Sequence, residues 1–163
     1  SRYAKTRLLI VGDGTERDNL LKGLAERGLL ESTHLTGAVP PDEIPGLLAS
    51  MDVAVCPYPR QDFYFSPLKV YEYMAAGLPI VVSRIGQLED LIENEVTGLV
   101  IPPDDATKLA QALSRLLIDS DLCVRLGQAA RRTALRDHTW NGIARNILGL
   151  ASIEPVNKTP VLR

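Results

Sequence analysis

Residues 66–82 read SPLKVYEYMAAGLPIVV and predict a helix start, a short helix and then a buried strand. Ser66 is predicted to cap this helix, because its hydroxyl can accept from a free backbone N–H, and Pro67 suits the first helical position. The remaining N–H groups and the positive end of the helix dipole favour an anion. Residues three apart share a helix face, so Ser66, Lys69 and Glu72 line one side. The stretch predicts a phosphate over the helix end, with the Glu72 carboxylate placed to accept from hydroxyls.

The same residues also have purely structural explanations. Glu72 can be a solvated carboxylate paired with Lys69 three residues earlier. Ser66 can be only a cap, which stabilises a helix by about 1 kcal/mol. Capping and phosphate binding use the same helix end, so Ser66 does not decide between them. Without the wider sequence pattern given below, the structural explanation of Glu72 is preferred.

Outward from this stretch, short apolar runs alternate with helical patterns. Strands are predicted at 8–11, 33–36, 53–56, 79–82 and 98–101. Besides the helix after Ser66, helices are predicted at 16–27, 41–50, 87–93, 106–117, 122–136 and 140–150. Strands that are apolar on both faces and separated by helices are typical of a parallel sheet covered on both sides. The sequence therefore predicts a doubly wound, Rossmann-like α/β fold with extra C-terminal helices.

Two helices carry specific packing predictions. In the helix at 16–27, the residues Leu20, Leu21 and Leu24 are predicted to face inward. In the helix at 140–150, Thr139 is predicted to be the cap and Trp140 is predicted to pack in the core.

The composition is that of an ordinary globular protein of 163 residues, with 45% hydrophobic and 23% charged residues. A net charge of −2 and a pI near 5.7 argue against a nucleic-acid surface or an anionic-membrane surface. No apolar run reaches spanning length and no signal-peptide pattern opens the chain, so a cytoplasmic location is expected. Cys56 and Cys123 have no metal-ligand spacing, and Cys56 is interpreted as a small buried thiol. No metal is implied.

The domain prediction follows the same patterns. Residues 1–150 are predicted to form one domain, and residues 151–163, with two prolines and few apolar side chains, are predicted to form a loose tail. The chain does not begin with Met and enters a predicted strand almost at once. This start suggests an excised domain or the second half of a longer protein.

Open α/β sheets bind ligands beyond the carboxyl ends of their strands. The predicted loops at that edge are 12–14, 57–65 and 83–87, and the anion site near Ser66 lies on the same edge. Arg84 is either a surface residue or a contact to a diphosphate. Gly12 and Gly14 alone are weak indications, because Gly-Asp-Gly also serves ordinary turns.

Five segments of the chain form an ordered set: LIVGDGTE at 9–16, LTGAVP at 35–40, ASMDVAV at 49–55, EYMAAGLPIV at 72–81 and TGLVIPP at 97–103. In this order they resemble the carboxyl-terminal domain of the group 1 glycosyltransferases, a large retaining family with the GT-B fold. The resemblance covers about residues 6–148. Five segments in order are far more specific than any single motif.

The resemblance implies binding of a nucleotide sugar in a cleft between two domains, with this half holding the nucleoside diphosphate. In the family, the Glu at the position of Glu72 holds the ribose hydroxyls, and a second Glu eight residues earlier contacts the donor sugar. Here the earlier position is Tyr64, which could stack on the sugar or hydrogen-bond to it. Asp62, two residues away, could instead replace the missing carboxylate. The departure leaves the donor sugar open.

The predicted donor-binding residues are Glu72, Lys69, Ser66, Leu68, Tyr64, Gly12, Gly14, Gly37, Val39 and Arg84. Gly37 and Val39 lie in the segment that lines the nucleobase in the family. The family's first strand of this domain, and the basic residue that follows it, would precede Ser1. Lys69 is therefore expected to supply part of the charge that meets the diphosphate. No catalytic residue, cofactor or metal is assigned.

The implied reaction is retaining transfer, by front-side displacement at the anomeric carbon, with departure of a nucleoside diphosphate. The acceptor would be held by an N-terminal domain of the same protein, so this domain alone is expected to be inactive. Membrane association, peripheral at the inner face, is expected only through that other part, and no nucleic-acid partner is expected. Polysaccharide synthesis is the setting implied.

Two alternatives remain open at this point. The chain could be a non-catalytic binding or interaction domain that has lost the sugar-contacting Glu at position 64. It could also be an epimerase or phosphorylase relative of the same architecture, since one fold hosts many chemistries.

Overall fold

The protein is described by a computed structural model, which covers residues 6–60 and 66–150. The chain divides into two compact units, Ser1–Met51 and Asp52–Arg163. We call them the first unit and the second unit. The division into one domain and a tail that the sequence suggests stays a prediction.

In its described part, the first unit contains two short parallel strands and their connecting helices. Its elements in chain order are β1 (Leu8–Ile10), α1 (Arg17–Glu26), a 3-10 helix (Leu30–Ser32), β2 (Thr33–Leu35) and α2 (Ile44–Ala49). β1 pairs with β2 in parallel, with Leu9 opposite His34. Leu24 is the buried residue of α1 and Leu48 that of α2.

The second unit contains a three-stranded parallel sheet and five helices in its described part. Its elements in chain order are β3 (Ala54–Cys56), α3 (Leu68–Ala76), β4 (Ile80–Ser83), α4 (Leu88–Leu91), β5 (Leu99–Ile101), α5 (Ala106–Ile118), α6 (Ser120–Asp137) and α7 (Trp140–Leu150). β4 lies between β3 and β5, with Val81 opposite both Val55 and Leu99. Every residue of β4 is buried.

Helices cover this sheet because their apolar residues recur at helical spacing. Ala112 and Leu116 of α5 are buried in one cluster with Leu122 and Leu126 of α6 and with Val81 of the sheet. α3 packs closely against α6, where Gly77 meets Gly127. None of the helices in the described ranges is both long enough and apolar enough to cross a membrane.

The prediction of an α/β fold with parallel strands and additional C-terminal helices is confirmed. The expectation of one continuous sheet is not met by the described residues, whose hydrogen bonds form a two-stranded and a three-stranded sheet. Apolar runs show that a segment is a strand and is buried, but they carry no information about which strands pair. Strand pairing depends on neighbours that are distant in sequence.

The prediction for Thr139 is confirmed and the prediction for Trp140 is wrong. The hydroxyl Oγ1 of Thr139 accepts from Gly142 N at 3.1 Å, so it caps α7. Gly142 is buried, and its backbone lies close to Thr139 and to the end of α6. Two residues along a helix lie on nearly opposite faces, so Trp140 points away from that contact and is 84% exposed.

Candidate functional site

The carboxyl edge of the three-stranded sheet brings together residues that the sequence separates. β3 ends at Cys56, β4 at Ser83 and β5 at Ile101. α3 connects β3 to β4 and therefore begins at this edge and ends at the opposite one. In agreement, the Lys69 ammonium in the first turn of α3 is close enough to the Cys56 thiol for its charge to lower the pKa of that thiol. This edge is where open α/β sheets hold their ligands.

The N-terminus of α3 differs from the prediction by one residue. Pro67 occupies the cap position, Leu68 is the first helical residue, and no side chain caps the helix. The Pro67 carbonyl accepts from Val70 N at 2.9 Å and from Tyr71 N at 3.2 Å. The prediction of Ser66 as the cap is therefore wrong, because the fixed φ of proline suits either position and the sequence cannot tell them apart. As a consequence, no side-chain oxygen accepts a hydrogen bond from the N–H groups at this helix end.

Lys69 and Glu72 are both exposed on the first two turns of α3. Within the described residues, neither side chain takes part in a hydrogen bond or an ion pair. The structural alternative, an ion pair between these two side chains, is thus not formed. A cation and a carboxylate that are three residues apart on one face of the helix are both left available to a ligand.

The groups behind this helix end are neutral. Cys56 is 4% exposed, and its burial raises the pKa of the thiol to about 11, against the opposing effect of the Lys69 charge. Burial likewise raises the pKa of Tyr73 to about 12, with smaller contributions from Cys56, Tyr58 and Glu72. A protonated, buried thiol is a poor nucleophile. The prediction that Cys56 is a small buried thiol is confirmed.

The structure places Arg84 and Leu68 at the same edge. Arg84 follows β4, and its backbone N–H donates to the Ile101 carbonyl at 2.7 Å. Its guanidinium donates to Glu89 Oε1 at 3.1 Å, and both side chains are exposed. The described geometry is that of a surface ion pair, and a diphosphate contact by Arg84 stays a prediction. Leu68 is 61% exposed.

In the first unit, the structure joins two of the predicted glycines. Gly12 N donates to Gly37 O at 3.0 Å, and both residues have positive φ, of 123° and 69°. A side chain at these positions would be strained, which explains glycine there. Gly14 N donates to Asp13 Oδ1 at 2.8 Å just before α1 begins. Val39 is half-buried. Tyr64 and Asp62 lie outside the described residues.

Two features escaped the sequence analysis. A cavity of about 270 Å³ lies at the carboxyl edge of the three-stranded sheet, where the sequence placed two ligand-binding loops but predicted no cavity. The sequence also contains an Asp-x-Asp pattern at Asp119 and Asp121. In the structure, Asp119 caps α6 by accepting from Leu122 N at 2.9 Å. Within the described ranges, no group of three or more potential metal ligands comes together.

Comparison with known proteins agrees with this architecture. Sucrose-phosphate synthase from Thermosynechococcus elongatus superposes with a TM-score of 0.79 and 29% identity, over 90% of this chain and 38% of that chain. Structures of the Anabaena protein Alr3699/HepE, at 22% identity and TM-scores of 0.78 to 0.79, share the fold. The fold is that of one part of the GT-B glycosyltransferases.

Sequence comparison gives the family. The profile of "Glycosyl transferases group 1" matches residues 1–119. A glycogen synthase from Mycobacterium tuberculosis is 34% identical over 85% of this chain. A GDP-mannose-dependent alpha-(1-6)-phosphatidylinositol monomannoside mannosyltransferase from the same species is 30% identical over 84%. The chain belongs to the group 1 glycosyltransferase family, as the resemblance indicated. It spans about a third of the length of these relatives, 33% and 37%.

Proposed function

We propose that this chain is the donor-binding part of a retaining glycosyltransferase and that it holds a nucleoside diphosphate at the N-terminus of α3. The observation that carries the proposal is the pair of exposed side chains, Lys69 and Glu72, without partners in the described part of the chain. They stand at a helix end that no side chain caps. Such an end attracts phosphate through its N–H groups and its dipole.

The diphosphate is the group that this helix end would stabilise. In the described structure, Leu68 N and Lys69 N have no hydrogen-bond acceptor. Together with the Lys69 ammonium they can donate to phosphate oxygens. When the sugar departs from the diphosphate, negative charge grows on those oxygens, and donors already in place stabilise that charge without reorganising. This is how the chain would lower the barrier to transfer.

Glu72 would hold the ribose. Its carboxylate has two acceptor oxygens, which match a pair of adjacent ribose hydroxyls, and it stands one turn away from the N–H groups of the helix end. The spacing suits a nucleoside diphosphate, whose ribose and phosphates are adjacent. Gly37 and Val39 are proposed for the nucleobase, and Tyr64 or Asp62 for the sugar.

The names of two similar proteins support this class of donor. The Anabaena structures contain UDP, or UDP-glucose, and the mycobacterial mannosyltransferase is named for GDP-mannose. Their bases differ, so the base is left to experiment. The acceptor is proposed to bind to an N-terminal part of a longer protein. The isolated chain is therefore expected to bind donor and to transfer little or nothing. We place the reaction in cytoplasmic polysaccharide synthesis.

The test is calorimetric titration with UDP, GDP and ADP. The nucleoside of whichever diphosphate binds most tightly is titrated next. Glu72→Gln should weaken binding of the preferred diphosphate at least about tenfold, because a hydrogen bond to a charged acceptor is lost. It should weaken binding of the nucleoside as well. Lys69→Met should weaken binding of the diphosphate and leave binding of the nucleoside unchanged. Glu93→Gln is the matched control, since Glu93 is an exposed carboxylate in the turn before β5, at the opposite edge of the sheet.

Two results would contradict the proposal: no binding of any of the three diphosphates, or binding that neither variant weakens. A non-catalytic domain, the alternative that Tyr64 keeps open, predicts a different pattern. It would bind no nucleotide sugar more tightly than the diphosphate alone. It would also release no diphosphate in the full-length protein supplied with acceptor.

A further inference from the structure

A cavity of about 270 Å³ lies at the carboxyl ends of all three strands of the second unit. Pro57 and Tyr58 follow β3, Ser83 ends β4, and Pro102 follows β5. Asp104 and Asp105 close the cavity where α5 begins. Ten described residues line it, and none of these belongs to the set proposed above for the nucleoside diphosphate.

The lining combines flat apolar surfaces with hydroxyl-binding groups. The rings of Pro57, Tyr58 and Pro102 offer apolar faces to a ligand. Asp104 and Asp105 offer carboxylate oxygens, which accept hydrogen bonds but cannot donate them when ionised. Among the described residues that line the cavity there is no Lys, Arg or His. A phosphate would therefore meet two like charges, so this cavity does not suit the diphosphate.

The two aspartates are fixed in place and still have acceptor capacity. Arg60 N donates to Asp104 Oδ2 at 3.2 Å, which ties the segment after β3 to the segment after β5. Asp105 Oδ1 accepts from Lys108 N at 2.8 Å and caps α5. Oδ1 of Asp104 and Oδ2 of Asp105 accept no hydrogen bond from another described residue. Each carboxylate thus keeps one oxygen for a ligand.

We propose that this cavity binds one neutral sugar unit and is separate from the nucleoside diphosphate site. The proposal rests on the proposed function. The C–H face of a sugar ring would lie against Tyr58 and the prolines, and its hydroxyls would donate to Asp104 and Asp105. The size agrees, because about 270 Å³ lies just below the range of about 300–1,000 Å³ that drug-sized ligands occupy, as suits a ligand of one sugar ring. The sugar unit belongs either to the nucleotide-sugar donor or to a glycan. That glycan is the acceptor of the transfer or its product.

The test is NMR titration of the protein with methyl α-glucopyranoside, methyl α-mannopyranoside and maltotriose. At least one should bind and shift the backbone amides of Tyr58 and Asp104. Tyr58→Ala removes the ring, and Asp104→Asn removes a charged acceptor. Asn tolerates the positive φ of 58° at position 104, so the second variant keeps the backbone. Each should weaken saccharide binding at least about fivefold, and Glu93→Gln should not.

Two further arms distinguish the source of the sugar. If the cavity takes the donor's sugar, a nucleotide sugar should bind more tightly than its diphosphate, and Asp104→Asn should remove that advantage. If the cavity takes a glycan, maltotriose should bind equally well in the presence of saturating diphosphate, and more tightly than the monosaccharides.

The inference is overturned if none of the three saccharides binds, or if both variants bind them as the unaltered protein does. The result is separable from the test of the proposed function. Diphosphate binding that depends on Glu72, without any saccharide binding, rejects only the cavity. Saccharide binding without diphosphate binding rejects the proposed nucleotide site.

Discussion

In the second unit every residue of β4 is buried, whereas in the first unit β1 has one exposed and two half-buried residues and β2 has an exposed residue at its centre. The two strands have similar compositions, since β1 reads Leu-Leu-Ile and β4 begins Ile-Val-Val. The two units differ in their helices. α5 and α3 pack on the sheet of the second unit, and α6 packs on both of these helices. In the first unit, α1 and α2 each bury one residue.

The comparison shows that the burial of a strand depends on the helices around it rather than on its own composition. Hydrophobic stabilisation scales with the apolar area removed from water. The described part of the second unit therefore carries most of the apolar stabilisation. Both proposed ligand sites of the second unit lie at the edge of its buried sheet. A rigid sheet holds the groups at its edge in fixed positions, as a binding site requires.

The largest expected effect is at the contact between α3 and α6. A Cβ on Gly127 would overlap the carbonyl oxygen of Gly77, a backbone atom that cannot move away cheaply. Gly127→Val should therefore separate the two helices and destabilise the second unit by more than about 4 kcal/mol. The measurement is urea unfolding followed by circular dichroism.

The matched control is in the first unit. Gly46 lies within α2, and a Cβ there would meet no heavy atom within 4 Å. Gly46→Val should change the free energy of unfolding by less than about 1 kcal/mol, since valine has the higher helix propensity. Equal destabilisation by both substitutions would contradict the difference between the two units.

An intermediate effect is expected from truncating leucines on helices of the two units. Leu126 of α6 is 0% exposed and belongs to the main core cluster, whereas Leu20 of α1 is 38% exposed. Leu126→Ala should cost about 3 kcal/mol, because it leaves a cavity in a closely packed core. Leu20→Ala should cost less than about 1 kcal/mol. Thermal unfolding by calorimetry would measure both, and costs within experimental error of each other would reject the contrast.

The sequence predicted what depends on local spacing. The alternation of strands and helices and the cap at Thr139 involve residues close together in the chain. The exposed placement of Lys69 and Glu72 on one helix also follows from residues three apart. In each case the interaction that decides the structure is contained in the segment itself.

The remainder depends on residues that are distant in sequence. The sequence placed Leu20 inward and Trp140 in the core, but both are exposed, since an apolar face is buried only where another element covers it. The division into two sheets was missed for the same reason. The sequence placed the loops at 57–65 and 83–87 at the ligand-binding edge, but it did not predict the cavity there, which also needs the end of β5 around Pro102. No local pattern contains that arrangement.

The smallest expected effect is electrostatic and again contrasts the two units. In the second unit, the Arg115 guanidinium donates to both Glu95 carboxylate oxygens, at 2.6 and 3.0 Å, and this hydrogen bonding lowers the pKa of Glu95 below its ordinary value. In the first unit, the Arg17 and Asp13 side chains approach only to 4.0 Å. Because all four side chains are exposed, even the bidentate pair should contribute at most about 1 kcal/mol.

The pH dependence gives this pair a recognisable signature. A carboxylate whose pKa is lower in the folded state stabilises the fold above its unfolded pKa, and that stabilisation is lost as the pH falls through the folded pKa. Arg115→Gln should therefore lower the unfolding free energy at pH 7 and make no difference at acidic pH, once Glu95 is protonated. Arg17→Gln should make no measurable difference at either pH. Urea unfolding of both variants across this range would measure the effect. A cost of Arg115→Gln that persists after Glu95 is protonated would mean that the arginine acts through packing of its side chain rather than through the ion pair.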